Sequence, residues 1–133
     1  MEKMEWRDSL VGLDPIAAYN MYSAAWNERD DPSARKNLLD QSWSHDGALF
    51  DRETPDGLLG VDALIEYISR THDDLPGLVI NETSAPEVLG NRLRVQWVAQ
   101  QGDMQVYTGS DFVEFAEDGR VSRVTMFYDS TPE

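Results

Sequence analysis

The stretch from Val106 to Tyr128 constrains this chain more than any other. V-Y-T-G-S-D-F-V-E-F-A-E-D-G-R-V-S-R-V-T-M-F-Y reads as two long strands joined at Glu117-Asp118-Gly119, a sequence suited to a tight turn. Side chains alternate along a strand, so Tyr107, Asp111, Val113 and Phe115 share one face of the first, and Val124, Met126 and Tyr128 one face of the second. If those faces are buried, Asp111 is a carboxylate set in an apolar wall. Such a group costs several kcal/mol unless it is paired, hydrogen-bonded or protonated. The rest of the chain has to supply what Asp111 faces.

Ahead of the hairpin, Arg92 to Gln101 alternates cleanly, with Leu93, Val95, Trp97 and Ala99 on one face. Leu78 to Leu89 reads as one long strand, irregular around Pro86, which cannot donate to a ladder. The N-terminal half is helical. Asp14-Pro15 and Asp31-Pro32 are start signals, with Asp as the cap and Pro at the first helical position. The first helix runs to about Asn27 and carries Tyr19, Tyr22, Ser23 and Trp26 as a stripe. The second carries Leu38 and Leu39 inward. A loop, Ser42 to Gly47, with Trp43 and His45, leads to a brief strand from Ala48 to Asp51. Arg52 to Gly60 is a loop, and a third helix runs from Val61 to about His72 with Leu64, Ile65 and Ile68 on one stripe and Tyr67 at its edge.

A chain of 133 residues suffices for one core. The expected organisation is an arm over 1–13, a single domain over 14–129 and a tail over 130–133. Helix, helix, strand, helix and then four antiparallel strands make an α+β layout, with helices on one face of a curved sheet. The net charge of -14 argues against nucleic acid and anionic membrane as partners. Without cysteine, and with His45 and His72 far apart, no metal site is expected. No apolar run is long enough to span a bilayer and the first residues lack a signal peptide's order, so a soluble, cytoplasmic protein is expected.

Taken together, W-N-E-R-D closing the first helix, S-H-D-G-A-L-F-D, Gly60 and D-F-V-E-F-A-E-D-G-R-V resemble the NTF2-like (cystatin-like) superfamily, in its SnoaL-like and ketosteroid-isomerase-like branch. The resemblance implies a cone-shaped curved antiparallel sheet wrapped around three N-terminal helices, with an apolar pocket. It implies cofactor-independent chemistry in which a proton moves next to a carbonyl of a small hydrophobic substrate; the alternatives are non-catalytic binding of a small hydrophobic or aromatic ligand, or a dimeric assembly domain. Carried over by position, Tyr22 stands five residues before Asn27, Asp51 nine before Gly60, and Asp111 four before Phe115. Those positions imply Asp51 as base, with Tyr22 and a protonated Asp111 as donors to the enolate oxygen. In the isomerases the base is followed by proline; here Arg52 follows Asp51. Tyr19, Trp26, Trp43, Tyr67, Trp97, Tyr107, Met126 and Tyr128 are the expected pocket walls. On the opposite sheet face, Val98, Val106, Phe112 and Phe127 among Gln96, Thr108, Glu114 and Thr125 point to a homodimer contact.

Overall fold

The computed structural model describes residues 14–130, with Ser130 by its backbone only. The expected arm, with Trp6 and Leu10, and the last three residues of the tail lie outside the described residues. Three helices, α1 (Pro15–Asn27), α2 (Pro32–Ser42) and α3 (Val61–Asp74), pack on an open, curved sheet. Its strands are β1 (Trp43–Phe50), β2 (Leu58–Leu59), β3 (Leu78–Glu82), β4 (Glu87–Leu89), β5 (Arg92–Gln101), β6 (Met104–Phe115) and β7 (Val121–Ser130). They lie in the order β2-β1-β7-β6-β5-β3, with β4 also paired to β5. The expected long strand from Leu78 is therefore two short ones, interrupted before Pro86.

The sheet is mixed rather than purely antiparallel, because β1 runs parallel to β7. The stretch expected to be a loop before Ala48 belongs to β1. Between the pairs Trp43↔Val121 and Ala48↔Arg123, β1 spends five residues against two on β7. Ser44 to Gly47 absorb that excess as a wide bulge, and the polar S-H-D-G sequence disguises a strand that bends.

Helix α1 buries Ala18, Tyr19, Tyr22, Ala25 and Trp26, a stripe at the spacing of one helical face. Its N-cap, Asp14, makes no side-chain capping bond, whereas Asp31 accepts from the backbone of Ser33 and Ala34 at the start of α2. The C-terminal end of α1 is tied down three ways. The Asn27 amide pairs with both backbone groups of Ile80 at 2.8 Å, as a strand would. The buried Arg35 donates from Nε and Nη2 to the Glu28 carbonyl, and His72 Nε2 lies 2.6 Å from the Trp26 carbonyl. His45, by contrast, is exposed. The Arg35 and His72 contacts meet carbonyls that a helix end leaves open.

The inner face of β5 is buried as its alternation predicts, at Leu93, Val95, Trp97 and Ala99. Strand β6 departs from simple alternation. Ala99 pairs with Tyr107 but Gln100 pairs with Gln105, leaving Val106 as an extra residue that turns inward. Val106 is accordingly buried against Leu78, Trp97 and Ala99, which corrects its expected place on the outer face. The remaining outer residues keep their expected side: Val98 is half-buried, while Phe112 and Phe127 are 48% and 54% exposed with rings meeting edge to face.

Candidate functional site

Between α1, α3 and the inner faces of β3, β5, β6 and β7 lies a cavity of about 230 Å³. Tyrosines 19, 22, 67, 107 and 128 and tryptophans 26 and 97 supply most of its wall, with Met126, Leu78 and Ile80. Several rings meet nearly at right angles: Trp26 with Tyr67 at 83°, Trp97 with Tyr128 at 87°, and Tyr107 with Tyr128 at 75°. Right-angled contacts suit the ring quadrupoles and also make the corners of a box. Of the expected wall residues, Trp43 alone does not line this cavity. Its ring is buried in the core and stacks on Tyr22, with centroids 5.4 Å apart.

Asp111 lies in the cavity wall and is 4% exposed. Tyr19 Oη donates to its Oδ2 at 2.9 Å and Trp97 Nε1 to its Oδ1 at 3.0 Å. Burial raises its pKa to about 6, while those two donors pull the other way. The geometry depends on a residue that carries no side chain. Trp97 pairs with Gly109 across the β5–β6 ladder, and a Cβ at Gly109 would lie 2.5 Å from the indole ring and 2.3 Å from the Phe127 carbonyl. Glycine at 109 thus lets the indole lie flat across β6 and reach Asp111 two residues on.

Tyr22 also lines the cavity, is 1% exposed, and has a hydroxyl without a hydrogen-bond partner. Its pKa is raised well above the ordinary value, first by burial and then by the Asp111 charge. The neighbouring Trp26 indole N–H opposes that rise but falls short of a full hydrogen bond, and is itself unpartnered. Both donor atoms are buried, and an unmet buried donor costs about 1–3 kcal/mol.

Asp51 is buried but is not part of the cavity wall. Its Oδ1 accepts from the backbone N–H of Glu53 and Thr54 and from Thr54 Oγ1, each at 2.9 Å, and its Oδ2 accepts from Tyr67 Oη at 2.6 Å. Those bonds fold the loop after β1 back on itself. The cavity meets this group through the Tyr67 hydroxyl, whose pKa is raised by burial and then by Asp51. The structure therefore brings Tyr22 and Asp111 to one cavity and holds Asp51 behind Tyr67. Sequence reasoning placed Tyr19 and Trp97 in the wall without assigning them to Asp111. The signals were there: Tyr19 sits one turn before Tyr22, and Gly109 opposite a tryptophan marks a close approach.

At the rim, Arg52 lies over the Tyr128 ring at 4.2 Å and the Tyr107 ring at 5.5 Å, and Arg70 over Tyr67 at 5.7 Å. Glu53, Arg70 and Asp74 complete the charged lining.

Helix order, sheet order and an internal cavity of this kind can be compared with known folds. A candidate isomerase of the SnoaL-like family from Agrobacterium tumefaciens superposes with a TM-score of 0.79 at 26% identity, covering 87% of this chain and 97% of that one. The chain has the fold of the NTF2-like superfamily. A candidate ketosteroid isomerase from Kribbella flavida superposes with a TM-score of 0.65 at 23% identity, over 88% of this chain and 78% of its own. A candidate SnoaL-like polyketide cyclase from Jannaschia gives 0.70 at 13% identity, over 96% and 92%. A scan against protein-family models finds no match, and a search of curated proteins finds none either. Among the described residues, no helix of this NTF2-like chain is long and apolar enough to cross a membrane.

Proposed function

We propose that the cavity binds a small organic molecule and that Asp111 is the group that holds it. One observation carries this reading: a carboxylate 4% exposed, in a wall of aromatic rings, contacted by neutral donors rather than by a cation. Burying such a group without a cation costs several kcal/mol, which a purely structural wall residue would avoid. The volume of about 230 Å³ falls below the usual 300–1,000 Å³ of drug-sized sites, so the ligand is smaller than a fused four-ring molecule. Thermal-shift and calorimetric titration with a panel of small aromatic and aliphatic molecules tests the reading. Saturable binding that weakens in Asp111→Asn supports it, and a panel without binders removes it.

A second reading is favoured by the unpartnered donors. With its pKa at about 6, Asp111 can take a proton from a carbon next to a carbonyl and return it elsewhere on the same molecule. Tyr22 Oη and Trp26 Nε1 would donate to the carbonyl oxygen as it becomes an enolate. The names of the neighbouring proteins, isomerase and cyclase, agree with that chemistry. In this version Asp111 replaces Asp51 as base, because Asp51 is already held by four donors. Solvent-deuterium incorporation into small enones, followed by NMR, tests it: exchange lost in Asp111→Asn but kept in Asp51→Asn is expected, and the reverse pattern would return the role to Asp51. We also propose that Val98, Phe112 and Phe127 meet a second copy of the chain across the outer sheet face.

A further inference from the structure

We propose that the cavity's ligand is a small organic ammonium, its cationic head set against the aromatic walls beside Asp111. This deepens the binding reading above and rests on it. Three observations support it independently of any relative. The first is the lone carboxylate: among the described residues the ion pairs join Lys36 to Asp40, Arg94 to Glu87, Arg120 to Asp118 and Arg123 to Glu114, and none includes Asp111. A ligand cation would supply the missing charge partner.

The second is that this chain already uses the cavity's rings as cation platforms. The Arg52 guanidinium rests 4.2 Å from the Tyr128 centroid and 5.5 Å from that of Tyr107, within the roughly 6 Å over which a ring quadrupole attracts a cation. Trp26 and Trp97, also in the wall, meet their tyrosine neighbours at 83° and 87°, adding two further π surfaces to the lining. The third is the sign of the lining. Glu53, Asp74 and Asp111 stand against Arg70 in the wall and Arg52 at the rim, and the whole chain carries a charge of -14. A carboxylate ligand would meet like charge at Asp111, and a neutral apolar one would leave that group without a charge partner.

The experiment compares two molecules of the same shape by calorimetry: choline, and its uncharged isostere 3,3-dimethylbutan-1-ol. The expected result is that choline binds at least about tenfold more tightly to the wild type, given aromatic contacts plus a carboxylate. In Asp111→Asn the two affinities should converge. Trp26→Leu, which leaves Asp111 in place, should weaken choline more than the alcohol and serves where the Asp111 variant does not fold. Equal or tighter binding of the alcohol overturns the cation assignment while leaving a binding cavity. Binding of neither overturns the cavity as a site for molecules of this size, and the cation assignment with it. A choline preference unchanged in Asp111→Asn overturns the role given to Asp111.

Discussion

Gly109→Ala should be among the most damaging single-methyl additions in the sheet, and the size of the effect can be worked out. The new Cβ would sit 2.3 Å from the Phe127 carbonyl oxygen, which is backbone, and 2.5 Å from the Trp97 ring. Neither approach is tolerated by real side chains, so β6 and β7 must separate or the indole must leave. Overpacking of this kind costs about 1–3 kcal/mol. An indole pushed aside also loses its 3.0 Å bond to Asp111, and a hydrogen bond to a charged group contributes about 1.5–3 kcal/mol. Alanine recovers about 0.5–1 kcal/mol of backbone entropy in a strand. The net expectation is a loss of about 2–5 kcal/mol, seen as a fall in the urea midpoint with an unchanged slope. If the indole bond is part of the cost, Gly109→Ala and Trp97→Phe together should lose less than the sum of the two single changes. A variant within about 0.5 kcal/mol of wild type, or a strictly additive pair, refutes the link between Gly109, Trp97 and Asp111.

Other outcomes follow from the same contacts. Asp111 has a folded pKa of about 6 against an ordinary 3.8, so the native state binds this proton more tightly than the unfolded chain does. Its contribution is fully favourable below the unfolded value and is lost as pH rises through about 6; relative to Asp111→Asn, the wild type should gain about 2 kcal/mol between pH 7.5 and pH 4 in urea titrations, and a flat difference would contradict the shift. Tyr67→Phe removes the 2.6 Å donor to Asp51 and should cost about 1.5–3 kcal/mol, measured by thermal unfolding, with no loss of cleavage resistance elsewhere than in the loop over 52–57. Phe127→Asp places a charge beside the exposed Phe112 ring and should convert a dimer to a monomer in sedimentation velocity; wild type that is monomeric at micromolar concentration removes the proposed interface.

Much of this fold was legible in the sequence because local rules dominate there. The stripe of Tyr19, Tyr22, Ser23 and Trp26 and the alternation of Leu93, Val95, Trp97 and Ala99 each reflect a single period, and all but the half-buried Ser23 are buried as that period requires. What resisted reading was wherever extra residues change parity. Val106 occupies a bulge and turns inward, and Ser44 to Gly47 conceal a strand inside polar residues. A period of two cannot show where it is broken. The parallel pairing of β1 with β7 joins residues about eighty positions apart, beyond any local pattern.

The site divided along the same line. Asp111 stood out because a carboxylate on an apolar strand face conflicts with its surroundings, and that conflict survives in the structure. Which tyrosine answers it was not readable, since Tyr19 and Tyr22 share one helix face and differ in reach; it is Tyr19 that donates to Asp111. Asp51 was matched by its distance from Gly60, yet D-R-E-T is also a sequence in which Asp and Thr close a local turn, and that local set of donors claims its oxygens.

Carboxyl ¹³C NMR of Asp111 in the intact protein tests the central claim most directly, because both readings of the cavity depend on a buried carboxylate poised by Tyr19 and Trp97. The midpoint should lie near 6 in the wild type and move upward in Tyr19→Phe, which removes a donor that favours the charged form. A midpoint at the ordinary value near 4, or one that Tyr19→Phe leaves in place, would contradict the account.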